Sequence, residues 1–146
     1  MTATAEAYFR HEHDEQPVRI STEADVDRLI DDLLGEEYEN SVATVYVDGR
    51  LNSAGVPDHE LLIGIDNAGG ILGGLRYMSA SGTYYGAGQP ADHDELVYYY
   101  AGQDREFPVD SQLPVDEIRA AVKEFLSGGG EPPPSVEWKP WPEDLA

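Results

Sequence analysis

The chain has 146 residues, with 29 acids against nine bases, a formal charge of −20 and no cysteine. Such a charge attracts cationic partners at long range, and it disfavours direct binding of nucleic acid or anionic membrane, which needs lysine and arginine. The missing cysteines exclude disulfides and thiolate metal sites; the length predicts one domain over residues 1–146 with a core that needs no covalent staple.

Met1-Thr2-Ala3-Thr4-Ala5-Glu6 has neither the basic nor the apolar region of a signal peptide. No apolar run approaches the ~20 residues that span a bilayer, so a cytoplasmic location without membrane contact is the expectation. Residues 1–20 read as an extension or edge strand, with a strand over 5–11. Ser21 or Thr22 then offers an N-cap hydroxyl. Glu23, Asp25 and Asp27 follow in the first turns, where the helix dipole favours negative charge. Val26, Leu29, Ile30 and Leu33 form the stripe of an amphipathic helix over about 22–34, stopped by Gly35.

The middle of the chain reads as strands. Val42–Val47 is β-branched and aromatic and ends at Asp48-Gly49, and Leu61–Ile65 is a short apolar run. Ile71–Met78 reads as a strand in which Gly73 and Gly74 mark a bulge or a close backbone approach. Ser81-Gly82 turns the chain into Thr83-Tyr84-Tyr85, and Glu95–Tyr100 is a further strand. Leu113-Pro114 opens a second helix striped by Val115, Ile118, Val122 and Phe125, ended by Gly128–Gly130. Ser135–Trp138 is the last strand, and Phe125 and Trp138 are expected in the core. Short turns between sequential strands predict an α+β fold: an antiparallel, twisted sheet of about six or seven strands with two amphipathic helices packed on one face.

No catalytic set accompanies these elements. Gly86-Ala-Gly88-Gln-Pro90-Ala91 matches a dinucleotide pattern, but Pro90 and the acids after it do not open a phosphate-binding helix. No serine sits in a nucleophile elbow. His11, His13, His59 and His93 could be imagined around a metal, yet polar surface histidines are the simpler reading; no metal and no cofactor is expected. Charge and tyrosine are the informative signals. Residues 22–40 hold eight acids and residues 92–117 another eight, each segment with one arginine. Among nine tyrosines, the runs 84–85 and 98–100 place rings on both faces of their strands. Outward rings beside acids suit a surface that meets a basic protein.

Several short segments fall in one order: Gly74-Leu75-Arg76-Tyr77, Gly82-Thr83-Tyr84-Tyr85, Val97–Gly102, Glu106-Phe107-Pro108, Leu113-Pro114-Val115, Glu124–Gly128 and Pro134–Trp138. The series resembles the Imm-one family of immunity proteins from bacterial polymorphic toxin systems, over roughly residues 42–138. The resemblance implies a non-enzymatic inhibitor of a cognate basic toxin domain, a nucleic acid deaminase first and a nuclease second. A non-catalytic ligand-binding or scaffold domain with an acid-biased surface is the alternative. Phe107-Pro108 and Val136-Glu137-Trp138 then read as fold residues. The expected toxin contacts are Tyr84, Tyr85, Asp92, Asp94, Glu95 and Tyr99, with a second group of Asp31, Asp32, Glu36 and Glu37 at the unfavourable, negative end of the first helix.

Overall fold

The structure is a computed structural model that describes residues 3–37, 40–66, 69–91 and 95–145, the side chain of His11 excepted. In chain order it contains β1 (Ala5–Tyr8), a 3-10 turn (His11–Asp14), β2 (Val18–Ile20), α1 (Glu23–Gly35), β3 (Val42–Val47), β4 (His59–Ile65), β5 (Leu72–Ser79) and β6 (Gly82–Gly86). There follow β7 (Leu96–Tyr100), β8 (Gln103–Phe107), β9 (Leu113–Pro114), α2 (Val115–Ser127) and β10 (Trp138–Pro140). An open, twisted antiparallel sheet runs β10-β6-β5-β4-β3-β1-β2, with β9 added beside the start of β5, and β7 and β8 form a separate hairpin.

Local chemistry explains the helices. The Thr22 hydroxyl accepts the Asp25 amide at 3.1 Å, and the Asp25 carboxylate accepts the Ser21 and Thr22 amides, a reciprocal cap that starts α1 one residue later. Val26, Leu29, Ile30 and Leu33 of α1 enter one core with Val115, Ile118, Ala121, Val122, Phe125 and Leu126 of α2. Burying each of the larger aliphatic side chains is worth roughly 1.5–3 kcal/mol. Both helices therefore cover the same face, which presents Val45, Leu61, Ile63, Leu75 and Tyr77. Arg119 of α2 reaches Asp27 and Asp31 of α1, and Lys123 reaches Asp27 at 3.0 Å. Lys123 and then Arg119 hold the Asp27 carboxyl below its ordinary range.

Besides the unforeseen β8 and β9, the strand reading needs four corrections. β1 stops at Tyr8 because the chain turns into the 3-10 segment, where the His13 ring accepts the Phe9 and Arg10 amides at 3.1 Å. β2 is too short to show a period of two. The last strand lies at Trp138–Pro140 rather than 135–138, since its partner on β6 is Tyr84–Gly86. Glu95–Tyr100 does contain a strand, but it belongs to the hairpin and not to the main sheet. Phe125 is fully buried, whereas Trp138 is half-buried at the core's edge, with its indole N–H on the Pro133 carbonyl at 2.9 Å.

Candidate partner-binding face

The β7–β8 hairpin turns on Ala101 and Gly102, whose φ angles are 47° and 84°. Positive φ at both central residues is what a two-residue turn needs to match strand twist. Register pairs Leu96 with Phe107, Tyr98 with Arg105 and Tyr100 with Gln103. Tyr98 and Phe107 meet edge to face at 5.0 Å and pack with Val42 and Leu62 on the sheet face opposite the helices. Two sheet glycines permit this approach. A Cβ at Gly64 would stand 2.6 Å from Tyr98 Cδ2, and one at Gly74 would stand 2.9 Å from Phe107 Cδ2. Trp141 closes the layer, edge-on to Phe107 at 5.4 Å and to Tyr85 at 6.2 Å, with the Arg76 guanidinium over its ring.

Side chains alternate along strands, so the residues between the inward ones face away from the sheet. These are Val97 opposite Glu106 and Tyr99 opposite Asp104, with Glu95 just before β7 on the same side. Glu95, Asp104 and Glu106 are exposed, and Val97 and Tyr99 are half-buried. None of the five is basic. The face thus combines three carboxylates, which attract cations, with apolar and ring surface that gains by being covered.

The nominated residues divide among several places. Glu95 and Tyr99 share the hairpin face. Ser41, reached four residues after Glu37, donates its amide to the Tyr99 carbonyl, and its hydroxyl accepts the Tyr99 amide, both at 2.9 Å. This link ties the segment that follows α1 to β7. Glu36 is paired with Arg10, and Asp31 with Arg119, so these two acids hold elements together; Asp32 and Glu37 are exposed. Tyr85 is buried and donates its hydroxyl to Asp110 at 3.0 Å, whereas Tyr84 lies on the helix-covered face beside an open cavity. Asp92 and Asp94 lie outside the described residues. Asp104 and Glu106 were missed because Gln103–Phe107 shows no apolar alternation; their spacing from Val97–Tyr99 across a tight turn was the available signal.

His13 and His59 are buried, not the polar surface residues expected from the sequence, and their rings serve the fold. The His59 ring accepts the Val47 amide at 2.9 Å and faces Asp58 at 2.9 Å through its other nitrogen. Burial is the leading cause that lowers the proton affinity of both rings, opposed at His59 by the Asp58 hydrogen bond. His93 lies outside the described residues, and among those described no three His, Asp or Glu side chains converge as metal ligands.

Both folded-state pKa values lie below the ordinary 6.5, so the unfolded chain takes up protons first. Their contribution is complete above that value and is lost as pH falls through the folded values. The urea midpoint should therefore decline as pH drops from about 6.5 toward 5, where ordinary carboxylates remain ionised. A flat midpoint across that range in wild type would refute this role. An H13N/H59N chain that retains the wild-type decline would place it elsewhere.

Among the described residues no helix is long and apolar enough to cross a membrane. A family model described as immunity protein Imm1 matches residues 14–140, which takes in β2 and α1 as well as everything from β3 to β10. No curated protein matches the chain significantly.

Proposed function

The chain belongs to the Imm1 immunity protein family, and from that premise we propose that it neutralises a toxin acting on nucleic acid, a deaminase in the first place. An immunity protein has a bacterial toxin as its partner, and the finer reading concerns how that toxin is met. In this reading the outer face of the β7–β8 hairpin lies across the toxin's substrate groove and closes it by occlusion, with no reaction carried out by the chain itself.

The observation that supports it most is the face formed by Glu95, Val97, Tyr99, Asp104 and Glu106, in which three exposed acids accompany a half-buried tyrosine. A groove that holds a nucleic acid strand is lined with lysine and arginine, which neutralise phosphates. Nucleobase deaminases take their substrate single-stranded beside a zinc-activated water. Carboxylates on the hairpin satisfy the same cations, and a tyrosine ring offers the stacking surface that a base would. Asp92 and Asp94 precede β7 in the chain and extend the acidic run. Glu37, exposed just after α1, lies four residues before Ser41, which is bonded to Tyr99. The inhibitor acts where the producing cell's nucleic acid lies, in the cytoplasm.

Co-expression with the toxin encoded beside the gene tests the proposal. Wild-type protein is expected to protect the cells and, at equimolar ratio, to abolish deamination of a single-stranded DNA or RNA substrate. A toxin that cleaves the strand instead identifies a nuclease target. Absence of binding and protection by the wild-type chain would overturn the reading for that pair.

A further inference from the structure

A second feature lies on the other face of the sheet, at the end where the β5–β6 turn meets the loop after α2. A cavity of about 500 Å³ opens there, walled by Tyr77, Tyr84 and Trp138 and edged by Arg50, Asp58 and Glu131. All three rings have already committed their polar hydrogens to main-chain carbonyls. Tyr77 donates to Gly130 at 2.8 Å, Tyr84 to Ser81 at 3.1 Å, and the Trp138 indole to Pro133 at 2.9 Å. The rings are therefore held in place, and they offer a ligand π surface rather than hydrogen-bond donors. Gly129 and Gly130, at φ of 68° and 95°, turn the chain so that their carbonyls reach Arg50 and Tyr77.

The charges select among occupants. Arg50 lies 3.3 Å from Asp58, donates to the Gly129 carbonyl at 3.2 Å and stands 3.6 Å from Glu131. The rim thus has two carboxylates against one guanidinium, and the Glu131 side chain is 70% exposed. An anion would meet two carboxylates and the negative faces of the rings. A neutral apolar group would suit the rings and leave the excess carboxylate charge unanswered. A cation on an apolar stem satisfies both, with its stem along the rings and its head over a ring face beside Glu131.

We infer that this pocket receives one arginine or lysine side chain projecting from the partner protein. The inference deepens the toxin-inhibition reading and rests on it for the bearer of that side chain; it adds a second anchor remote from the hairpin. Tyr84, singled out in the sequence, then belongs to this anchor.

The chain's two tryptophans supply separate indole N–H signals in a ¹⁵N-correlated NMR spectrum. Titration of the isolated protein with N-acetyl-arginine amide is expected to move the Trp138 signal saturably and to leave Trp141 in place. N-acetyl-norleucine amide, neutral and of similar stem, should bind at least about fivefold more weakly, a ratio typical of a cation over aromatic rings. D58N/E131Q should weaken the arginine probe by a similar factor, the Trp141 signal serving as the control for folding; should that chain not fold, E131Q alone carries the comparison at an exposed carboxylate. Equal binding of the two probes, indifference to the carboxylate variants, or no movement of Trp138 would each overturn the inference. No toxin takes part, so such a failure removes the pocket and leaves the hairpin reading standing. Loss of toxin protection by hairpin variants would conversely leave this titration unchanged.

Discussion

Replacement of Phe125 by alanine should cost about 3–5 kcal/mol, the usual range for an aromatic ring deleted from a closed core. Phe125, on the sheet-facing side of α2, is fully buried, tilted against His59 at 5.7 Å and edge-on to Tyr77 at 6.5 Å. These neighbours belong to β4 and β5, paired strands in the middle of the sheet, and cannot move inward without breaking ladder bonds. The cavity stays open, and the loss is correspondingly large. Trp138 to alanine should cost distinctly less, since that ring is half exposed and one wall of its site is already open. Urea unfolding of the two variants measures both. Losses under about 1 kcal/mol at each position, far below that range, would mean that the last third of the chain packs differently. A larger loss at Trp138 than at Phe125 would reverse the assignment of core and edge.

The largest functional effect is expected from E95Q/D104N/E106Q, which clears the carboxylates from the outer hairpin face while leaving the inward Tyr98 and Phe107 untouched. Association with the toxin should slow by about tenfold or more at low salt, and the difference should shrink as salt screens the wild-type attraction. Y99A should act chiefly on dissociation, raising it by about tenfold or more if the ring is a covered anchor, since rim charges set on-rates and desolvated rings set off-rates. A control with the same change in net charge, E23Q/D116N/E117Q, removes exposed acids from the two helices instead. It should slow association far less. Stopped-flow association and surface-based dissociation measurements separate these terms. Equal slowing by both triple variants would mean that total charge, and not the hairpin, steers the encounter. Unchanged kinetics in E95Q/D104N/E106Q and Y99A together would move the interface off this face.

What the sequence determined by itself is what depends on near neighbours in the chain. α1 and α2 were legible because a helix buries residues three and four apart, and because Thr22 with Asp25 and Pro114 with Gly128 supply local starts and stops. The antiparallel sheet followed from short turns between apolar runs, and the acidic character from counting. The family was legible in the order of motifs that run from Gly74 to Trp138. Where strands pair decided the rest, and pairing is a relation between distant segments. Tyr84 and Tyr85 are adjacent and chemically alike. Register against Tyr77 and Arg76 sends one to the helix-covered face and the other beneath Trp141. β8 has four polar residues of five and becomes a strand only because β7 lies beside it, which is why Asp104 and Glu106 joined Tyr99 unannounced. Asp31 and Glu36, at the wrong end of a helix dipole, read as acids kept for a partner until Arg119 and Arg10 arrived from elsewhere in the chain. A carboxylate's neighbours along the chain set its local cost, but the cation that offsets that cost is chosen by tertiary packing.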